Sequence, residues 1–343
     1  MSALRVLIVL HSPGWVGIAR LPRTLARAGF EVASLSPAGS LLSLTRFNQH
    51  HFTLSEGQLP VQALDAAVRH FRPDFLVPGC DAAVHHLLLI GQALENGRWP
   101  GPGSPLPALV RRSLGGAGIR HNRLSKSDNL ALGTRLGLRT PEQWPVADLA
   151  QAREISAKLG WPVVLKGEYG SAGSTVRICA DAPSLSQAFE LLKAQAPGMR
   201  LVLQAFVRGQ GAICAGVAMA GQVLESVGCL KLHVHPSPTS PSSVLRVVDE
   251  PGMRDALARL VQAMGLSGWC EAEFILEPGA RAPCLIELNP RPSPLSALGG
   301  LWGHDLALAL AAHLRGQAYR RPAPLTPRDT VALFPNEWAR DRH

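Results

Sequence analysis

The sequence predicts an α/β protein whose N-terminal part is a parallel sheet and whose larger remainder combines helices with antiparallel strands. Near the N-terminus, apolar runs of strand length alternate with amphipathic helical segments. Such alternation is typical of parallel strands joined by right-handed crossovers. Beyond residue 200, three consecutive strand-like segments and a later acidic pair of strands indicate antiparallel pairing.

The N-terminal elements are justified by their apolar periodicity and by Gly and Pro at their ends. They are a strand at 5–10, a helix at 17–29, a strand at 31–35, a helix at 60–71 and a strand at 74–78. The turn after the first strand lacks the GxGxxG spacing of dinucleotide-binding proteins, which argues against a dinucleotide at that turn.

The remaining elements follow after a Pro/Gly-rich loop at 99–107, and no internal repeat is present. We expect helices near 124–136, 147–159, 182–196, 251–265 and 294–316. We expect strands at 162–166 and 175–178, three consecutive strands over 201–233, a loop at 236–243, an acidic hairpin after residue 268 and an irregular tail.

Length and composition describe an ordinary globular protein. The chain has 343 residues, 46% of them hydrophobic and 17% charged, enough for two or three subdomains. No apolar run approaches the ~20 residues that a membrane span needs, and the N-terminal apolar segment is short enough to be a buried strand. The six cysteines lack metal or disulfide spacing, so we expect reduced core thiols in the cytoplasm.

A net charge of +9 raises the question of nucleic acid or an anionic substrate. The arginines are dispersed, aromatic residues are sparse and no basic run occurs, so we expect neither nucleic acid nor membrane as a partner. The chain has only five lysines. A compact ammonium suits contact with phosphate, so these few positions are of interest.

The strongest chemical signal is the strand at 284–291, where Glu287, Asn289 and Arg291 occupy alternate positions. They share one face, and the alternation predicts that Ile286 and Leu288 enter the core. A preceding strand carries Glu273, and a hairpin would bring Glu273 to Glu287. Two carboxylates and an amide suit Mg²⁺, and the arginine suits a phosphate. The alternative is that these acids are the solvated face of half-exposed strands.

Two further segments have the character of a nucleotide site. Lys166 ends a strand directly before a loop of small residues, whose backbone can approach an anion closely. This loop is not a Walker A motif, and a hairpin turn without a ligand is the alternative. The strand at 201–207 is apolar except for Gln204, whose amide can pair with a flat base, although a Gln at a sheet edge explains it equally well.

Together these segments resemble the ATP-grasp superfamily over about residues 115–316. The matching pieces, in order, are Ser125-Lys126-Ser127 before a helix, the strand and glycine loop at 162–173, the strand with Gln204, and the hairpin with Glu273 and 287–291. The resemblance implies a Rossmann-like pre-ATP-grasp domain at 1–115, a small lobe with linker helices at 116–199, a C-terminal lobe with the Mg/ATP site at 200–316, and a tail at 317–343.

The resemblance also implies roles by position. Lys126 and Lys166 would hold phosphates; the loop residues Glu168, Gly170, Ser171 and Gly173 would cover them; Gln204, Ala205, Phe206 and Val207 would contact adenine; Glu273, Glu287 and Asn289 would bind metal; and Arg291, Lys231 and Arg246 would act in catalysis. For Lys231 and Arg246 a surface role is equally open, and His233 and His235 are weaker candidates for the acceptor site.

The implied reaction is ATP-dependent activation of a carboxylate as an acyl phosphate, followed by attack of an amine, with ATP and one or two Mg²⁺ or Mn²⁺ ions. Small-molecule acids and amines would be the partners, in a possible homodimer. Two alternatives stay open: a bicarbonate-activating enzyme similar to carbamoyl-phosphate synthase or biotin carboxylase, and an ATP-binding regulator without turnover. The loop departs from the family pattern at Glu168 and Tyr169, where small residues are common.

Overall fold

The N-terminal strands form the predicted parallel sheet, in the order β3-β2-β1-β4. The computed structural model describes residues 3–55, 60–96, 104–116, 125–170 and 173–342. The first unit contains β1 (Leu4–Val9), α1 (Leu21–Arg27), β2 (Phe30–Pro37), β3 (His50–Leu54), α2 (Pro60–Phe71), β4 (Phe75–Pro78), α3 (Asp81–Glu95) and α4 (Leu106–Leu114).

A second, antiparallel sheet has the order β5-β8-β6-β7 and its own small hydrophobic core. A separate core is expected for a lobe that packs independently. Its elements are α5 (Lys126–Arg135), which leads into the lobe, β5 (Gln143–Val146), α6 (Leu149–Leu159), β6 (Val163–Gly167), β7 (Val176–Cys179), α7 (Ala182–Gln195) and β8 (Leu201–Ala205).

The third sheet has six strands in the order β13-β12-β9-β10-β11-β14. Its strands are antiparallel, and α5 packs against its edge strand β13. The elements are β9 (Gln210–Met219), β10 (Gln222–Val234), β11 (Ser242–Val248), α8 (Pro251–Met264), β12 (Gly268–Leu276), β13 (Cys284–Asn289), α9 (Leu306–Leu314), β14 (Thr330–Ala332) and α10 (Asn336–Arg340).

The two faces of the six-stranded sheet have different neighbours. Helix α8 covers one face, where Gly216 lies so close to Leu257 that an added Cβ would come within 2.9 Å of it. On the other face, Trp269 packs edge-to-face against Phe75 of the first unit, with ring centroids 6.2 Å apart. The first unit therefore covers one end of this face.

Several elements differ from the sequence prediction. The helix predicted at 17–29 is a 3-10 turn, Val16–Ile18, followed by α1, and the helix predicted at 294–316 is two 3-10 turns, Pro294–Ala297 and Gly299–Trp302, followed by α9. Glycines at 299, 300 and 303 interrupt the latter. The prediction missed α3, α4, β3, β5, β11 and the tail elements β14 and α10. Strand β5 contains a proline and an exposed tryptophan, which obscure its pattern.

The tail is not irregular, because β14 extends the six-stranded sheet beside β11. All six cysteines are buried and free, as predicted for core thiols. Within the described ranges, no helix combines the length and apolar character that a bilayer crossing requires.

An ion pair between buried Glu225 and the largely exposed Arg321 connects the third sheet to the chain beyond α9. Both oxygens of Glu225 on β10 accept hydrogen bonds from Arg321, at 2.6 and 3.0 Å, and Oε1 also accepts from the Ser226 backbone N–H at 2.8 Å. Burial would raise the pKa of Glu225, but the bonds from His304, Arg321 and Ser226 outweigh burial and lower that pKa to about 2.

This pair predicts a specific acid sensitivity. The folded pKa of Glu225 lies below its ordinary value of 4.5, so its contribution to stability is present above about pH 4.5 and is lost as the pH falls towards 2. At pH 7, Glu225→Gln should lower the free energy of unfolding by about 1–3 kcal/mol and flatten this acid dependence. Urea unfolding at several pH values measures both effects. Exposed Glu190→Gln is the control, with a change within about 0.5 kcal/mol; equal stability of the two variants would contradict the prediction.

Candidate active site

A cavity of about 440 Å³ lies where the three units meet. Strands β12 and β13 of the third sheet contribute its acidic side chains, β6 and β8 of the second unit face them, and Trp15 comes from the loop after β1. Most of the residues singled out in the sequence lie around this cavity.

The predicted acidic hairpin is confirmed. Glu273 pairs with Glu287 and Glu271 pairs with Asn289, and all four side chains line the cavity. Ile286 differs from the prediction, because the register shifts between Glu273 and Phe274 and leaves Ile286 as an extra residue on β13. Such a bulge breaks the alternation. Ile286 therefore lines the cavity beside Glu287, whereas Leu288 enters the core as expected.

Three lysines surround the carboxylates. Lys126, the first residue of α5, places Nζ 3.2 Å from Oε1 of Glu287. Lys231 on β10 donates a hydrogen bond to Oε2 of Glu273. Lys166, at the end of β6, forms no ion pair with another described residue. Each predicted phosphate ligand therefore comes from a different element and points towards the same acidic centre.

The charges in this centre shift one another's pKa values. Burial lowers the pKa of Lys166 to about 8; Glu287 opposes that shift and Lys126 adds to it. Burial would raise the pKa of Glu287, but Lys126 and Lys166 lower it below its ordinary value. Burial likewise opposes ionisation of Lys231, yet Glu273 keeps its pKa above the ordinary value. The centre is therefore a mutually dependent set of charges.

The sequence analysis missed a third acid, Glu271. It is buried at the cavity wall, two residues before Glu273 on the same face of β12. Burial, followed by repulsion from Glu273, raises the pKa of Glu271 to about 7. The alternating acids of β12 were the signal that could have identified it.

Arg291 has a different neighbour from the one expected. Its Nε and Nη2 donate to the two oxygens of Asp81, at 2.7 and 3.1 Å, and Nη2 also lies 3.4 Å from Oδ1 of Asn289. Nη1 donates to the Pro292 carbonyl oxygen at 3.5 Å. The guanidinium predicted to face a phosphate is thus held mainly by Asp81, which begins α3 in the first unit.

The position of Arg246 contradicts the predicted catalytic role. Leu245 is the cross-strand partner of Lys231 and lines the cavity, so Arg246 faces the opposite side of the sheet. Its side chain is 49% exposed and lies 3.6 Å from Asp329. Among the described residues that line the cavity, neither His233 nor His235 is present. The prediction failed because no strand was predicted after the loop at 236–243, so the alternation of β11 was not considered.

The side chains expected around adenine lie together at another part of the cavity. Gln204, Phe206 and Val207 line it, whereas Ala205 does not and uses its backbone N–H to donate to the Glu142 carbonyl oxygen. Gln204 is buried, and its Oε1 has no hydrogen-bond donor within the described part of the chain. An unpaired buried acceptor is costly unless a ligand supplies a donor.

In the glycine loop, Gly173 lines the cavity, whereas the Glu168 carboxylate binds the start of α5 instead. Gly173, at φ +71°, lines the cavity so close to the Thr239 carbonyl that an added Cβ would lie 1.9 Å from its oxygen. Gly170 does not line the cavity, and Ser171 lies outside the described residues. Glu168 is buried away from it, against expectation. Its carboxylate accepts from the hydroxyls of Ser125 and Ser127 at 2.8–2.9 Å and from the Ser127 backbone N–H at 2.9 Å.

The comparisons with known proteins agree with this geometry. No protein-family model matches the sequence. The arginine-specific carbamoyl phosphate synthase large chain of Geobacillus stearothermophilus is 25% identical over 225 residues, which is 62% of this chain. That match spans 20%, about a fifth, of the curated relative's length. The biotin carboxylase domain of Hydrogenobacter thermophilus 2-oxoglutarate carboxylase superposes with a TM-score of 0.67 and 16% identity, covering 96% of this chain and 73% of that one.

The chain has the ATP-grasp fold. A third relative of this ATP-grasp fold is the L-amino acid ligase of Bacillus licheniformis, with a TM-score of 0.62 and 16% identity over 92% of this chain and 75% of that one. The predicted fold class is therefore confirmed, whereas the domain boundaries and the roles of individual residues stay predictions.

The Arg291–Asp81 pair yields a stability prediction for this ATP-grasp chain. Asp81→Asn should lower the free energy of unfolding by about 2–3 kcal/mol, because it removes the charge that faces a buried guanidinium, although the Asp81 side chain is 29% exposed. A double-mutant cycle with Arg291→Met in chemical denaturation should give a coupling energy above about 1 kcal/mol. The control is Asp255→Asn, which breaks an exposed ion pair to Arg259 and should cost less than about 0.5 kcal/mol. Additive losses at positions 81 and 291 would show that the pair is not energetically coupled.

Proposed function

We propose that the chain is an ATP-dependent ligase that activates a carboxylate as an acyl phosphate, releases ADP and joins the acyl group to an amine. The observation that carries the proposal is the paired Glu273 and Glu287, with Lys126, Lys166 and Lys231 gathered around them in one cavity. Positioned cations around a transferring phosphoryl group are the main source of catalysis in such reactions.

Several features support ATP as the nucleotide. Gln204 offers a buried, unpaired acceptor beside Phe206 and Val207, and the exocyclic amine of adenine is a suitable donor. Lys166, whose pKa burial lowers, has no ion-pair partner among the described residues. A phosphate would give this ammonium the counter-charge that burial demands.

The same centre suits a divalent cation. Glu273, Glu287 and Asn289 supply the hard oxygen ligands that Mg²⁺ takes, and each carboxylate can accept at its second oxygen while a lysine contacts the first. Within the described ranges, no group of three or more His, Cys, Asp or Glu side chains has the arrangement to hold a metal alone. Phosphate oxygens would therefore complete the coordination of one or two Mg²⁺ or Mn²⁺ ions, which would neutralise charge on the phosphates.

In the proposed reaction, the lysines would position the phosphates for transfer to the acid. Lys126, Lys166 and Lys231 would hold the phosphates in line with the acid, whose oxygen forms a bond to the γ-phosphorus as the bond to ADP breaks. The amine then attacks the acyl carbon, inorganic phosphate leaves, and the amine loses a proton. Closure of the second unit over the cavity would exclude water from the acyl phosphate, which would otherwise hydrolyse.

The comparisons also favour a second candidate. The relative aligned above is a carbamoyl phosphate synthase, and the Hydrogenobacter structure is described as a dimer in complex with MgADP and bicarbonate. Bicarbonate as the activated acid, and a homodimeric assembly, are therefore reasonable for this chain. An ATP-binding regulator without turnover is a weaker candidate, because the full set of acids and lysines is present.

Product analysis tests the proposal. The purified protein is incubated with Mg-ATP and pools of carboxylates, with and without amines, and ADP and AMP are separated. We expect ADP release that depends on an acid, and Glu287→Gln should reduce it at least about 100-fold by removing a metal ligand and the partner of Lys126. Exposed Glu190→Gln should retain full activity. AMP as the product would indicate adenylation, and ATP binding without turnover in any pool would favour the regulator.

Gln204 provides a separate test of the adenine position. Gln204→Leu keeps the side-chain volume but removes both amide groups, so it should raise KM for ATP about tenfold and leave kcat within about twofold. Steady-state kinetics with varied ATP measures this split. The exposed Gln222→Leu is the matched control. An unchanged KM in the Gln204 variant would show that adenine does not contact this amide.

A further inference from the structure

The pairing register of β12 defines two ends of the cavity along this strand. At one end, Ile275 pairs with Gly211, and the connection from β8 to β9 passes beside it, since Gly209 packs against Ile275. Four residues away, Glu271 pairs with Asn289. At about 3.4 Å per residue, roughly 14 Å separate these ends. Glu273 lies midway, so a nucleotide whose base meets the β8–β9 connection leaves the Glu271 end for a second substrate.

Trp15 lies at the Glu271 end of the cavity. It lies in the loop after β1, and the guanidinium of Arg291 lies 5.9 Å from its ring. The ring also rests against Gly17, where an added Cβ would come within 2.9 Å of it, and that same Cβ would lie 3.2 Å from Pro294. The absence of a side chain at Gly17 thus permits this ring position. Its indole Nε1 is shielded and has no acceptor among the described residues.

The other surroundings of this end include apolar residues beside Trp15. Pro294 and Leu295 line it from the 3-10 turn after β13. Glu271 and Arg291 are the nearby charges, and most of the Arg291 donors are engaged by Asp81 and its neighbours. This end therefore combines an apolar surface, formed by Trp15 and Pro294, with the polar groups of Glu271, Asn289 and Ser293.

From this arrangement we infer that Trp15 is a specificity-determining residue, and that the acid activated by this enzyme carries an apolar side chain of several carbons that packs against Trp15 and Pro294. The inference rests on the proposed ligase function and narrows its substrate class. Bicarbonate has no apolar group that could cover the surface of Trp15 and Pro294. Burial of each additional methylene should improve affinity about fourfold.

Calorimetric titration tests the inference without requiring turnover. Protein saturated with Mg-ADP is titrated with bicarbonate, with glycine, alanine, leucine and phenylalanine, and with the matching acids that lack the amino group: acetate, propionate, 4-methylpentanoate and 3-phenylpropanoate. We expect affinity to rise with apolar size in at least one series, with a negative heat-capacity change of binding. Bicarbonate, glycine or acetate binding as tightly as the larger acids would overturn the inference, as would the failure of every acid to bind.

Variants of Trp15 test the residue itself. Trp15→Ala should weaken binding of the best apolar acid at least about tenfold, whereas Trp15→Phe should retain most of the affinity, and KM for ATP should stay unchanged in both. Trp338→Ala is the matched control, because Trp338 is 56% exposed and lies outside the cavity lining. Thermal melting establishes that each variant is folded. If Trp15→Ala binds the acid as tightly as the unaltered protein does, Trp15 does not contact the bound acid.

The outcomes separate this inference from the proposed function. If only bicarbonate or small polar acids cause ADP release, the ATP-dependent activity is supported and the inferred apolar substrate class is wrong. Size-dependent binding of apolar acids without any ADP release would support the apolar site and overturn the ligase.

Discussion

The site depends on a pairing that would be unfavourable by itself, since Glu273 and Glu287 lie directly opposite each other on neighbouring strands. Like charges at such positions are destabilising, and burial increases the cost. Lys126 and Lys231 offset that repulsion, and they come from a helix and from another strand. The hairpin can therefore accommodate its acids only while the lysines stay near them, so the cations that would bind phosphate in the proposed function also stabilise the acidic pair.

A second layer of carboxylates sets the positions of these cations. Glu168 accepts hydrogen bonds from Ser125 and Ser127 at the start of α5, where a negative charge also interacts favourably with the helix dipole. This contact fixes the first turn of α5 and with it Lys126. Asp81 does the same for Arg291 from the first unit. Each acid thus links a separate part of the chain to the cavity, which helps three sheets, of which the second has a core of its own, to maintain one centre.

Sequence reasoning identified the residues whose positions follow from local alternation and missed those that depend on tertiary contacts. The face shared by Glu273, Glu287 and Asn289 follows from strand period, and the structure has it. The position of Ile286 does not follow, because a bulge depends on how two strands pair. The role of Arg246 was wrongly predicted because β11 was not predicted as a strand. The contact between Arg291 and Asp81 spans 210 residues of sequence, and no local pattern encodes it.

The charges that line the cavity have a consequence for how ligands would enter. Four cations, Lys126, Lys166, Lys231 and Arg291, face three carboxylates, Glu271, Glu273 and Glu287. A metal ion entering alone would compete with the lysines for the acids, and a triphosphate entering alone would meet those acids at short range. If the two entered together, Glu273 and Glu287 would hold the metal while the lysines would contact the phosphates, so these charges would gain partners. The electrostatics of the chain therefore favour the metal–nucleotide complex over either component, and this balance leaves the Trp15 end, where few free charges remain, for a substrate recognised by its apolar surface.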